Sequence, residues 1–125
     1  MADKLPVPAN LRTFVEVLGE DLAADFFLTF GGSELYFAER PNPNGRLARL
    51  IGVSRAAELS RALDQHPSRV PLAKPWLALY LKERGGLSTA DIARKLHAAD
   101  NTVRGWLKRA RRESDRRDDR QMQLF

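Results

Sequence analysis

The sequence contains no cysteine and only two histidines among its 125 residues. The missing thiols exclude disulfide bridges and thiolate-ligated metal sites. No apolar run is long enough to cross a bilayer, and no segment has the pattern of a secretory signal peptide. These absences predict a cytoplasmic protein that makes no contact with a membrane.

Catalytic patterns are also missing. His66 and His97 lie far apart in the sequence, and no carboxylate cluster, phosphate-binding loop or nucleophile motif accompanies them. Asp115, Asp118 and Asp119 alternate with arginines, which indicates solvated ion pairs rather than a metal site. We therefore expect a protein that is not an enzyme and has no catalytic, cofactor-binding or metal-binding residues.

The charge of the chain is concentrated in its C-terminal part. The net charge is +5 and the pI is about 10.1. Residues 1–73 carry eight Lys and Arg against nine Asp and Glu, whereas residues 74–125 carry thirteen against seven. A basic excess confined to one region is typical of a surface that binds phosphates.

This basic region contains the pattern of a helix-turn-helix. Ser88 is a good N-cap, and Asp91 occupies the capping-box position three residues later. Apolar residues then recur at helical spacing in two short helices, of which the second enters the DNA major groove in such motifs. The residues predicted to be buried are Ile92, Ala93, Leu96, Ala98, Val103, Trp106, Leu107 and Ala110.

The turn between the two helices departs from the usual pattern. His97 stands where most such motifs have glycine. A left-handed conformation costs a residue other than glycine about 1 kcal/mol, although histidine tolerates it better than branched residues do. A third helix is predicted from Pro75 to Arg84, ended by Gly85-Gly86, and should support the motif from behind.

The N-terminal half is predicted to begin with two helices and a strand. A first helix starts at Asn10 and stops at Gly19, and a second, Phe-rich helix covers residues 20–30. Gly31-Gly32 ends this helix, and Leu35-Tyr36-Phe37 is predicted to be a short strand. Residues 40–45 then form a polar linker with two prolines and a glycine.

The same pattern recurs 33 positions later. Leu18-Gly19, Ala23-Ala24 and Phe30 correspond to Ile51-Gly52, Ala56-Ala57 and Leu63, and a second strand is predicted at Val70–Lys74. We interpret this as a possible duplication of a helix-helix-strand unit, with copies at residues 10–40 and 46–74. The alternative is a chance similarity between two amphipathic segments.

These patterns predict three regions and a fold. Residues 1–74 form a helical dimerisation region that begins with a loose arm, residues 75–112 form a C-terminal helix-turn-helix DNA-binding domain, and residues 113–125 form a charged tail. The fold class is mainly α with two short β-strands. Two such strands cannot form a stable sheet alone, so they pair with each other or across a two-fold axis.

A homodimer is expected for two reasons. The Phe-rich helix pair is more apolar than a small monomeric unit easily hides, and one recognition helix reads only a half-site.

The segment Phe30-Gly31-Gly32-Ser33-Glu34-Leu35-Tyr36-Phe37, upstream of a helix-turn-helix, resembles the Mor transcription activator family of Mu-like phages. The resemblance covers about Leu11 to Phe37 and Leu87 to Arg112. It implies a dimerisation region with a strand paired between subunits, a DNA-binding region, and activation of phage middle or late promoters with host RNA polymerase. Gly45 to Lys74, the apparent second copy, departs from the family pattern.

The expected function is that of a sequence-specific transcription regulator, an activator of phage or prophage genes, which binds double-stranded DNA as a dimer. In the resemblance, Gly31 and Gly32 match the strand-entry turn, and the recognition helix carries Asn101, Thr102, Arg104 and Lys108. Arg104 and Lys108 are the candidates for base edges or nearby phosphates, and Asn101 is the next candidate, for an adenine edge. The candidates for phosphate contact alone are Ser88, Thr89, Arg109, Arg111, Arg112 and either Arg94 or Lys95.

Two other functions are compatible with the same sequence. One is a DNA-packaging recognition subunit of the small-terminase type, which would assemble as a ring. The other is an interaction adaptor that uses the helix-turn-helix fold without DNA.

Overall fold

The structure is a computed structural model that describes the backbone of residues 4–123 and the side chains of residues 4–116. Residues 7–73 form one compact unit, and residues 74–123 form another together with residues 4–6. The first unit begins with a 3-10 helix at Ala9–Leu11 and continues with helices α1 Arg12–Leu18, α2 Glu20–Phe30, α3 Arg46–Ile51 and α4 Val53–Ala62. The second contains α5 Lys74–Glu83, α6 Thr89–Leu96 and α7 Asp100–Gln123.

The two predicted β-strands are wrong, since residues 4–123 contain helices and no strand. The segments that follow Gly31-Gly32 and precede α5 contact each other through an ion pair between Arg69 and Glu34 (3.4 Å) and through two backbone hydrogen bonds. In these bonds the N–H of Gly32 donates to the carbonyl of Val70 (2.7 Å) and the N–H of Val70 donates to the carbonyl of Ser33 (2.9 Å). Gly32 and Ser33 thus lie opposite the single residue Val70, and Gly32 has φ +81°. This is the hydrogen-bonding arrangement of a glycine-containing β-bulge.

The backbone on both sides explains why this contact does not extend into a sheet. Pro71 has no N–H to donate, and Lys74 already begins α5 instead of ending a strand. Tyr36 is 83% exposed whereas Phe37 is 2% exposed. The alternation that predicted a strand is therefore present, but it belongs to an extended chain without a second strand beside it.

A phenylalanine cluster forms the core of the 7–73 unit. The Phe14 ring stacks on that of Phe26, with 5.5 Å between the centroids, and meets the Phe27 ring edge to face at 5.4 Å. Phe30 and Phe37 complete the cluster, and all five residues are buried within a single chain. The apolar face that was expected to require a second subunit is thus covered by the chain's own residues.

The core of the other unit lies between its three helices, each of which packs against the other two. Residues 4–6 belong to this unit rather than to a loose arm, and the side chain of Leu5 is buried. The backbone of α7 remains helical from Asp100 to Gln123, so the predicted charged tail begins as a continuation of this helix. Leu124 and Phe125 lie outside the described residues.

Two further features bear on function. None of the described helices is both long and apolar enough to cross a membrane. Within the described residues, no three His, Asp or Glu side chains come together in a way that could hold a metal ion.

Candidate DNA-binding surface

The N-terminus of α6 is fixed by the predicted cap. The Ser88 side chain accepts a hydrogen bond from the backbone N–H of Asp91, with 3.1 Å between Oγ and N. The carboxylate of Asp91 in turn forms an ion pair with Arg94, one turn further along the helix. These contacts satisfy an N–H group that the helix itself leaves without an acceptor, and so they define where α6 begins.

The turn after α6 adopts the left-handed conformation that the sequence predicted for His97. Its φ and ψ are 53° and 50°. The N–H of Ala98 donates to the carbonyl of Ala93 (3.0 Å), and the N–H of His97 donates to that of Arg94 (3.4 Å). This pair of bonds is the Schellman ending of a helix, and it turns the chain sharply into α7.

The packing between α6 and α7 determines which side of α7 faces outward. Ile92, Ala93 and Leu96 of α6 are buried, as is Val103 of α7. Small Ala93 allows the two helices to approach closely. Further along α7, three residues on the same side as Val103 are half-buried, namely Trp106, Leu107 and Ala110.

The opposite side of α7 is exposed and basic. Among residues 100–112 of α7, the only acidic residue is Asp100. The Arg104 guanidinium donates to the amide oxygen of Asn101, with 2.6 Å between Nη2 and Oδ1, and Nε of Arg109 donates to the carbonyl of Gly105 at 3.4 Å. All seven predicted contact residues of this helix are exposed: Asn101, Thr102, Arg104, Lys108, Arg109, Arg111 and Arg112.

Two of the other predicted site residues lie on a different element. Ser88 is exposed and Thr89 is half-buried, and both are at the N-terminus of α6. Exposed N–H groups at a helix N-terminus are suited to a phosphate.

Gly105 was missed by the sequence analysis. It lies one turn after Asn101 on α7, and a Cβ added there would meet nothing within 4 Å. Glycine in the middle of a helix is costly, and this was the signal that could have drawn attention to it.

Comparison with known proteins agrees with this geometry. Residues 77–113, from within α5 through the whole basic stretch of α7, match the family model described as Sigma-70, region 4. No curated protein and no solved structure matches the chain. The chain therefore carries a DNA-binding domain of the helix-turn-helix type, and the match does not extend to the Mor family.

Proposed function

We propose that this protein is a sequence-specific transcription regulator that inserts the N-terminal half of α7 into the DNA major groove. The observation that carries the proposal is the orientation of this helix. Val103 is fully buried on the side of α7 that packs on the other helices of its unit, so that Arg104 and Lys108, one and five residues further on, project from the exposed side. A helix with a buried apolar back and a basic front is what a major groove accommodates.

The residues of this surface divide into two roles. Arg104 and Lys108, with Asn101 beside them, are placed to meet base edges, since an arginine fits O6 and N7 of guanine and an asparagine fits the edge of adenine. Arg109, Arg111 and Arg112 supply attraction to the phosphates, which does not depend on sequence. The N–H groups at the start of α6, near Ser88 and Thr89, hold a further phosphate.

The regulatory role is activation of phage or prophage genes with host RNA polymerase. The Mor-like segment around Gly31-Gly32 supports the phage setting, and the match to Sigma-70 region 4 supports contact with the polymerase. The protein acts by binding alone, without catalysis. The homodimer expected from the sequence is not part of this proposal, because the phenylalanine face that called for it is buried within one chain.

Selection of bound sites from random duplex DNA tests the proposal. We expect a defined sequence to be enriched, and its affinity to fall steeply as the salt concentration rises, because binding releases counterions from the phosphates. A protein that enriches no sequence, or whose partner binding is unaffected by salt, is an adaptor that uses the same fold without DNA. In a reporter assay, higher transcription from a promoter that carries the selected site supports activation, and lower transcription contradicts it.

A further inference from the structure

The 7–73 unit consists of two helix pairs that are joined in the same way. Gly19 links α1 to α2 and Gly52 links α3 to α4, and the two glycines are one repeat length of 33 positions apart. Their backbone angles are φ 80°, ψ 166° and φ 90°, ψ 154°, a conformation that is essentially restricted to glycine. Two independent amphipathic segments would have no reason to share this rare conformation at equivalent positions.

The two copies also bury equivalent positions. Four phenylalanines of the first copy correspond to smaller residues in the second that are buried as well, whereas Leu63, in the place of buried Phe30, and Ala57, in the place of buried Ala24, are half-buried. This correspondence reaches beyond the helices into the extended segments. The pairs that are buried in both copies are Phe14 and Leu47, Leu18 and Ile51, Ala23 and Ala56, Phe26 and Leu59, Phe27 and Ser60, and Phe37 and Val70.

The copies pack against each other reciprocally. Helix α1 of the first copy contacts α4 of the second, and α2 of the first contacts α3 of the second. The first helix of each copy thus contacts the second helix of the other copy, which is the contact pattern of a two-fold, isologous interface.

The extended segments follow the same exchange. The Phe37 ring of the first copy lies against the His66 ring of the second, with 5.7 Å between centroids. In return, Val70 of the second copy bonds through its backbone to Ser33 of the first. Ser33 and His66 are equivalent positions in the two copies, as are Phe37 and Val70. The segment after the second helix of each copy therefore contacts the equivalent position of the other copy.

We infer that residues 7–73 are a fused pair whose mutual interface closes within one chain, and that the protein therefore reads a single asymmetric half-site. This inference rests on the proposed function for its DNA part. The apolar faces of the two helix pairs, which could otherwise bind a second chain, already pack against each other within one chain. Large apolar side chains that stay exposed among the described residues are Leu28, Tyr36, Val53 and Leu72, and no phenylalanine is among them.

One chain then presents one recognition helix. A two-fold operator needs two such helices, placed about 10 base pairs apart or a multiple of this distance. A particle with a single α7 has no counterpart for the second half-site. Its preferred DNA should lack two-fold symmetry.

The test measures the mass of the full chain, alone and with a duplex selected from random DNA. We expect sedimentation equilibrium to give one chain of 14.1 kDa over a wide concentration range, one chain per duplex, and a selected sequence without two-fold symmetry. A duplex with two copies of that sequence 10 base pairs apart should bind two chains without cooperativity. Twice the chain mass would overturn the inference, as would a palindromic selected site that binds two chains or a ring of many chains.

The Arg104→Ala variant separates this inference from the proposed function. We expect the variant to keep the single-chain mass while its affinity for the selected duplex falls. If the wild-type protein is a dimer that binds DNA specifically, the fused-pair inference fails and the proposed function stands. If it is a monomer that enriches no sequence, the proposed function fails together with the half-site, and the closed interface stands.

Discussion

The guanidinium of Arg104 is held by the amide oxygen of Asn101, with 2.6 Å between Nη2 and Oδ1. Both side chains are exposed, and they lie about one turn apart on α7. The bond keeps the long arginine side chain on the outer face before DNA is present. A side chain that is already oriented loses less conformational freedom on binding.

Arg104→Ala should weaken binding to the selected site by about 1–3 kcal/mol and relax the preference at one base position. Asn101→Ala should also weaken binding and relax the preference at a second base position, because it releases Arg104 and removes the amide proposed to meet an adenine edge. Binding titrations on the selected duplex and on duplexes altered at single positions measure both effects. Arg61→Ala, at an exposed arginine of α4, is the matched control and should change neither. An equal loss on every sequence would make Arg104 a phosphate contact.

Replacing His97 by glycine should stabilise the protein. The residue has φ 53°, and glycine adopts this conformation without the steric cost of a Cβ, so we expect a gain of up to about 1 kcal/mol. Thermal unfolding of the full chain measures the gain. His97→Ala is the control, since it removes the ring but keeps the Cβ, and it should give no increase. An unchanged or lower midpoint for His97→Gly would mean that the imidazole contributes to the turn.

The DNA-binding half was predictable because its signals are local. The Ser88 cap acts on a residue three positions later, and the spacing of Ile92, Ala93 and Leu96 is that of a single helix. Even the left-handed turn could be located, because His97 directly follows the last apolar residue of the first helix, Leu96, at the position where such motifs usually carry glycine. The cap, the apolar spacing and the turn all depend on interactions between residues that are close together in the sequence, so a single sequence is enough to identify them.

The strands were mispredicted, and the cover that the chain itself gives to the phenylalanine face was not foreseen, because both depend on distant residues. The alternation at Tyr36 and Phe37 indicates an extended chain, but a strand also needs a neighbour with free N–H and carbonyl groups, and Pro71 interrupts the one available. Similarly, an apolar helix face must be buried by another apolar surface. The residues of the face are the same whether that surface belongs to a second chain or to a segment of the same chain 33 positions further on. Only the packing distinguishes the two cases.

Gly19→Ala and Gly52→Ala should destabilise the protein by similar amounts. Neither added Cβ would meet another atom within 4 Å, so the cost is that of the backbone conformation alone, about 1–3 kcal/mol each. Gly105→Ala is the control in which the added Cβ is equally free but the backbone is helical, and it should stabilise by about 0.5–1 kcal/mol. Chemical denaturation measures all three. A large loss for only one of Gly19 and Gly52 would contradict their equivalence.

Leu5→Ala should destabilise the unit that contains α5, α6 and α7. The side chain is 8% exposed and belongs to this unit, and loss of a buried leucine side chain costs about 2 kcal/mol or more. Hydrogen exchange of the amides in α5 and α7, followed in the full chain, should show faster exchange. Lys4→Ala is the control, because Lys4 is exposed and should have no effect. Unchanged protection in the leucine variant would show that the N-terminal segment adds nothing to this unit.

The length of α7 has a mechanical consequence. At 1.5 Å per residue, its 24 residues form a rod of about 36 Å, and only the first half carries the residues proposed to read bases. No break in the helix separates that half from the end at Gln123. The helix can therefore act as a lever: a force that tilts its end at Gln123 would also tilt the side chains that are proposed to enter the groove.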